Sequence, residues 1–467
     1  MRLTIRSTLR WACGGAISLA VTGCVLAPKE AEFERKQMNS AGAPYAKAFE
    51  KRTLPDLPDA PTEEQVVRRG LVADGELEAA YFDWAAAVAR INQAGAYPNS
   101  PVSVGLSQEL DRGRIRSFDQ TSITVAPDAM ENLAFPSKTA KAGAIATDMA
   151  RVAGKRFVAR RLATRQKLLD AWLDYVLLAE RIRIQQQNVD LLGAVQQTTR
   201  SRLQSGAMET DLLRADAESR LAANQLASMQ AERDQQRAQL NAMLARPAEA
   251  PLIAPNVLPA ARPMAADDAT LIVAAAERNP ELLALSHEVA GKDNAVDLAR
   301  MAYIPDFNPS FGITGSSVQM VGLNITLPTV YPRIEGAIAE AKADRHAAEA
   351  MLRQKRQDTA ASLVAALVMM RNAERQADVF SRDIVPIAQR VVDSTRRNYA
   401  AGGASYLDLI AAQRLLLDAR LMRAEARITR EKSLAQIETL AGFDVDTLAP
   451  RSSTTQPVST TQEVHHD

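Results

Sequence analysis

The sequence predicts a mainly α-helical chain with a small β part, and three observations carry that prediction. Only 4% of the 467 residues are aromatic although 47% are hydrophobic, so the core must be built from Ala, Leu, Val and Ile, as in thin helical packing. The 22 prolines fall in clusters that leave long proline-free stretches between them. The same order of elements then occurs twice: a helix, two short extended segments, a very long helix, a glycine turn and a shorter helix.

Taken in order, Pro28, Pro44, Pro55, Pro58 and Pro61 mark residues 24–70 as an extended leader. A helix over 71–96 follows, then two short strands bracketed by Pro98, Pro101, Pro127 and Pro136. The long helix 137–202 carries a stripe at alternating spacings of three and four (Leu168, Trp172, Tyr175, Ala179, Ile182, Gln186, Val189), the signature of a coiled coil. The helix 207–246 has neither Pro nor Gly and is dense in alanine. Prolines at every fourth residue from Pro247 to Pro263 mark 247–276 as a linker. The second half repeats the scheme with helices over 277–303, 333–399 and 404–441, and its strands are bracketed by Pro305, Pro309, Pro328 and Pro332. Asn279-Pro280 reads as a helix cap followed by a first-turn proline. Pro386 alone interrupts a helical stretch, where it predicts a kink and not an end. Asp211-Leu212-Leu213 corresponds to Asp408-Leu409-Ile410, and Phe135-Pro136 to Tyr331-Pro332. Residues 71–246 and 277–445 therefore read as an internal duplication, and 446–467 as a disordered Ser/Thr-rich tail. In each half the two shorter helices together match the long one, which predicts that they stack end to end beside it.

The strands alternate strictly. Val321, Leu323, Ile325 and Leu327 point one way against Gly322, Asn324 and Thr326, and Val102, Val104 and Leu106 oppose Ser103, Gly105 and Ser107. Nine or so residues of that pattern suit a transmembrane β-strand, and Tyr97, Phe118, Phe135, Tyr303, Phe307 and Tyr331 cluster about these segments like interfacial aromatics. Four strands cannot close a barrel, and lipid does not tolerate an open edge, so spanning strands require further chains: two would give eight strands and three would give twelve.

Composition excludes several classes of function. With 56 Lys+Arg against 55 Asp+Glu there is no basic surplus for nucleic acid. Four His and two Cys supply no metal centre, no convergent catalytic cluster is present, and no cofactor is implied, so the chain does not read as an enzyme. His287 and His346 stand singly on helices, His465-His466 end the tail, and Met369-Met370 read as packing residues. At the N-terminus, Arg2, Arg6 and Arg10 precede a short apolar stretch from Trp11 to Val21, a secretory signal over residues 1–23. Its removal tips the net charge from +1 to −2 and leaves Cys24 as the sole thiol.

Val21-Thr22-Gly23-Cys24 resembles the bacterial lipobox, which implies a lipoprotein acylated (palmitate) at Cys24; Val25 in place of an Asp favours the outer membrane. Further along, Asn279-Pro280-Glu281-Leu282, Tyr303-Ile304-Pro305 and Val321-Gly322-Leu323 through Pro328 occur in order with two glycine turns. These are Arg202-Leu203-x-x-Gly206 with Asp211-Leu212-Leu213, and Arg397-x-Tyr399-x-x-Gly402 with Ser405 and Asp408-Leu409-Ile410. Together they resemble the TolC-type outer-membrane efflux channel family over about residues 65–445. The resemblance implies a homotrimer whose chains complete a 12-stranded barrel in outer-membrane lipid, continuing into a periplasmic tunnel of long antiparallel coiled-coil helices. It implies as partners a periplasmic adaptor (membrane fusion) protein and an inner-membrane pump of the RND type, served by a passive exit duct. Adaptor contact is expected at Arg202, Leu203, Gly206, Arg397, Gly402, Gly403 and Ser405. An acidic ring at the periplasmic aperture is expected at Asp408, with Asp211 a second candidate that reads first as a helix-start carboxylate. Ala411 stands where the family's founding members carry a second acid, so a double acidic constriction is not expected. Type I protein secretion and a poreless periplasmic coiled-coil scaffold remain open alternatives.

Overall fold

A computed structural model describes residues 28, 30–97, 102–108, 121–127, 134–203, 208–262, 264, 267–314 and 317–442. The signal, Cys24, Phe118, Gly206, the tail from 446 and most strand side chains lie outside the described residues. The elements are α1 (Ala31–Ala41), α2 (Glu63–Ala73), α3 (Gly75–Ala94), β1 (Val102–Gln108), β2 (Thr121–Pro127), α4 (Pro136–Leu203), α5 (Glu209–Met243), α6 (Asp268–Arg278), α7 (Pro280–Arg300), β3 (Asp306–Thr314), β4 (Ser317–Thr326) and α8 (Tyr331–Val379). A π-helical turn, Phe380–Ile384, leads into α9 (Val385–Ala400), and α10 spans Tyr406–Ala441.

Two expectations are corrected. Residues 24–70 are not an extended leader throughout: α1 and most of α2 lie within them, and Tyr45, Leu57 and Val66 are buried. The prolines hid this because they fall between the helices, and α2 starts behind Pro61 with a Thr62–Gln65 capping box. The linker 247–276 likewise contains most of α6, which begins after Asp267 once the prolines stop. Pro280 opens α7 as a first-turn proline, while the Asn279 amide donates to the Leu440 carbonyl at 2.7 Å.

The chain divides into two compact units. The first comprises residues 1–52, 75–160 and 280–356 and holds the strands. They form one antiparallel sheet in the order β1-β2-β3-β4. β1 and β2 pair from Val102↔Pro127 to Gln108↔Thr121, and β3 and β4 pair from Asp306↔Thr326 to Thr314↔Ser317 with a register shift at Gly312/Ile313. The two hairpins join through Thr124↔Thr314 and Val125↔Ile313. At the foot of β3, Lys138 donates to the Ile304 carbonyl and the Asp306 carboxylate, both at 2.7 Å. The helical part packs α3 on α4, with Trp84 stacked on Phe157 at 5.6 Å and Tyr81 on Tyr45 at 5.0 Å. Gly154 makes the close approach possible, since a Cβ there would sit 2.9 Å from the Trp84 indole.

The second unit comprises residues 53–74, 161–279 and 357–467. The predicted stripe on α4 is buried at Leu168, Trp172 and Tyr175, then moves to Ile184, Leu192 and Val195, while Gln186 is exposed. Proline-rich residues 247–264 are strapped across the helices by their carbonyls. Tyr175 donates to Leu252 O at 2.6 Å, Asn241 to Ala250 O at 2.9 Å, Arg427 to Pro259 O at 2.8 Å and Arg430 to Arg262 O at 2.6 Å. This use of carbonyls follows from a chain poor in N–H donors. Beneath the strap, buried Glu438 accepts from Arg165 at 2.6 Å and Arg262 at 2.9 Å. A core of Leu271, Leu363, Met370, Leu434 and Ile437 lies beside it.

Candidate functional site

The residues singled out in the sequence gather at the far ends of the helical pairs in the second unit. α9 ends at Gly402, whose φ of 82° suits a residue without a Cβ. The turn is closed by Gly403 N–H to Asn398 O at 2.8 Å and Ala401 N–H to Arg397 O at 3.1 Å. Ser405 then caps α10. Its hydroxyl accepts from the Asp408 N–H at 3.2 Å, and the Asp408 carboxylate accepts from the Ser405 N–H at 3.1 Å. Asp408 thus closes a capping box on its own helix and stays exposed. Hydrogen bonds from the Ser405 side chain, then from its backbone, hold the Asp408 carboxyl below the usual carboxylate range. Asp211 lies in the first turn of α5, 3.9 Å from Arg214.

The two helix ends meet through Tyr399. Its ring lies 4.3 Å beneath the Arg202 guanidinium, a cation–π contact. Its hydroxyl is 2.9 Å from that of Thr199, which in turn donates to Val195 O at 2.9 Å. Tyr399 also meets Tyr406 edge-on at 6.4 Å, within a cluster that includes Leu192, Ala215, Leu409 and Ile410. The Tyr406 hydroxyl has no hydrogen-bond partner among the described residues; burial foremost, with Glu218 next, pushes its pKa up to about 12. So Arg202, Gly402 and the Ser405–Asp408 box belong to one tip, while Arg397 and Leu203 flank it.

Sequence reasoning passed over Thr199, which is fully buried. The signal was a hydroxyl residue continuing the Leu192–Val195 stripe at the next helical step, a polar group that needs a partner there. It also passed over Gln413, buried with neither amide atom paired among the described residues. Gln413 lines a groove of about 340 Å³ with Gln185, Leu221, Ile410 and Arg414. No group of three His, Cys, Asp or Glu among the described residues could hold a metal ion, and no described helix is long and apolar enough to cross a membrane.

Residues 271–443 match the model of the outer membrane efflux protein family. That match covers part of the second half of the chain. Its fold is that of solved channels of the TolC type. The outer-membrane channel OprN is similar over 83% of this chain and 91% of its own, at 20% identity and a TM-score of 0.71. The outer membrane protein VceC of Vibrio cholerae matches over 82% and 96%, at 17% identity and a TM-score of 0.68. The MtrE outer membrane channel of Neisseria gonorrhoeae, solved in its open state, matches over 82% and 89%, at 16% identity and a TM-score of 0.66. No curated protein matches the chain.

Proposed function

We propose that the chain is the outer-membrane exit duct of a tripartite efflux pump, passively passing substrates that an inner-membrane pump and a periplasmic adaptor deliver. The observation that carries this reading is the efflux-protein domain on a fold whose four-stranded sheet ends in two strands, β1 and β4, each with one side unpaired within the described chain. In lipid such edges must be completed, and three copies complete a barrel of twelve strands wide enough for a lumen.

Two further features support self-association. α8 buries Leu363, Leu367 and Met370 yet exposes Val364, Val368 and Met369, and α10 buries Leu409 and Leu416 yet exposes Leu407, Leu415 and Met422. Helices apolar on two faces suit a wall in which each touches neighbours on both sides. On this reading the chain is a duplicated, lipid-anchored protein, acylated at Cys24 and trimeric. The Tyr399 tip faces the periplasm, and the adaptor docks at Arg202, Leu203, Gly206, Arg397, Gly402, Gly403 and Ser405. Asp408 lines the aperture, where three symmetry-related carboxylates favour cations, and Asp211 contributes to a lesser degree.

Single-channel conductance of the purified mature protein in planar bilayers tests this. Stepwise current from a detergent-stable trimer is expected, with a larger conductance or weaker cation preference in Asp408→Ala. A chain that carries no current even with Tyr399 removed, and that runs as an elongated monomer once its lipid is cleaved, would overturn the duct in favour of a scaffold.

A further inference from the structure

Away from the strands and the tip, the first unit holds a cavity of about 300 Å³ between α1, α3, α4 and α7. One glycine shapes its floor. A Cβ on Gly154 would lie 2.9 Å from the Trp84 indole nitrogen, so only a residue without a side chain lets the indole settle against α4. Trp84 and Gly154 both line the cavity, and Phe157 stacks on Trp84 at 5.6 Å, which fixes the ring. Phe33 of α1 and Val158 of α4 line it as well, and both are exposed, so the apolar lining runs out to solvent. A cavity of about 150 Å³ holds benzene, so this one has room for a two-ring molecule.

The charged groups around the cavity are not equally engaged. Arg151 donates to Glu34 at 3.0 Å, to Glu30 at 2.6 Å and to Asp148 at 3.5 Å, and of these acids only Glu34 lines the cavity. Lys155 also lines it, half-buried, and its ammonium makes no hydrogen bond or ion pair among the described residues. The Trp84 indole N–H likewise has no partner among them. At His287, a further lining residue, the nearby cations outweigh the nearby acids. Burial first, then Arg151 and Lys155, hold its imidazole below the usual histidine range, against Asp148 and Glu34. The ring is therefore neutral at neutral pH, with one nitrogen to donate and one to accept. A cation without a partner beside an apolar floor is the complement of an amphipathic anion.

We propose that this cavity binds a small planar aromatic acid, its rings against Trp84 and Phe33 and its carboxylate on Lys155. The inference stands apart from the duct reading, since it concerns neither the strands nor the tip. Calorimetric titration of the full mature protein in a non-ionic detergent, corrected with empty micelles, tests it with naphthoate, its neutral counterpart naphthylmethanol, and inorganic phosphate. Naphthoate is expected to bind once per chain and about tenfold more tightly than naphthylmethanol, because an ionised partner strengthens the bond to Lys155. Phosphate, which has no rings to cover the floor, is expected not to bind. Lys155→Gln should abolish the preference for naphthoate and leave naphthylmethanol unchanged. Lys36→Gln, at an exposed residue of α1 outside the cavity, should change neither. Gly154→Ala crowds Trp84 and should weaken both aromatic probes about tenfold. Should that variant not fold, Phe33→Ala takes its place with a several-fold loss expected for both, and no change would count against the site. Naphthoate heats no larger than those of empty micelles would overturn the site outright. A preference for naphthoate that survives Lys155→Gln, or phosphate binding as tightly as naphthoate, would overturn the chemistry assigned to it.

Discussion

The two long helical runs, α4 and α8–α9, hold the same place in the order of elements, yet they differ at one point. α4 runs from Pro136 to Leu203 without interruption, whereas its counterpart is broken by a π turn and Pro386 before it reaches the tip. At the tip the unbroken helix offers Thr199 and Arg202, and the interrupted one offers Tyr399, which both of them hold. One run is a regular helix and the other is interrupted, and the contact between their ends combines a hydrogen bond and a cation–π pair with an apolar cluster. The anchored end near the strap is the opposite case, with large apolar side chains and a carboxylate clasped by two arginines.

Breaking the anchored end should cost most. Glu438→Gln removes the carboxylate that Arg165 and Arg262 share, while Arg262 keeps Glu431 at 3.3 Å, and a loss of about 2–3 kcal/mol is expected in chemical denaturation of the detergent-solubilised protein. Conductance at permissive temperature should be unchanged, because the lesion lies away from the tip.

Tyr399→Phe sharpens the comparison at the other end. It removes one hydrogen bond to Thr199 while keeping the ring under Arg202, so about 1 kcal/mol of stability is expected to go, with more frequent channel opening. A variant that opens no more often than the native chain would show that the hydroxyl does not hold the tip.

The smallest effect is expected at Glu63, on the strap side. Burial foremost raises its carboxyl pKa, against the attraction of Arg262. A carboxyl raised in the folded state favours folding below the usual carboxylate range, and that contribution fades as pH rises through the folded value. Glu63→Gln should therefore be slightly more stable than the native chain at neutral pH, by under about 1 kcal/mol, and the difference should vanish in acid; denaturation at several pH values measures it.

Much of this was legible in the sequence. Alternation and bracketing prolines located all four strands to within a few residues, and the proline-free stretches located α4, α5 and α10. Pro386 announced a disturbance but not its form, because choosing between a kink and a π turn depends on the residues packed around it. α1, α2 and α6 were missed for a different reason. Each is 11 residues long, too short for periodicity to outweigh nearby prolines, and each gains its stability from burial that only the fold supplies. The tip glycines and the Ser405–Asp408 box could be read from local chemistry, whereas the Tyr399–Thr199 bond joins residues 200 apart in sequence.

The junction of the two strand pairs carries a further consequence, for biogenesis. β2 and β3 meet through residues roughly 190 apart, so the first hairpin must wait for most of the chain before its inner edge is covered. During that wait it presents a sticky edge to every other copy in the compartment. Slowing synthesis between residues 127 and 306 is therefore expected to raise misassembly more than slowing it anywhere later.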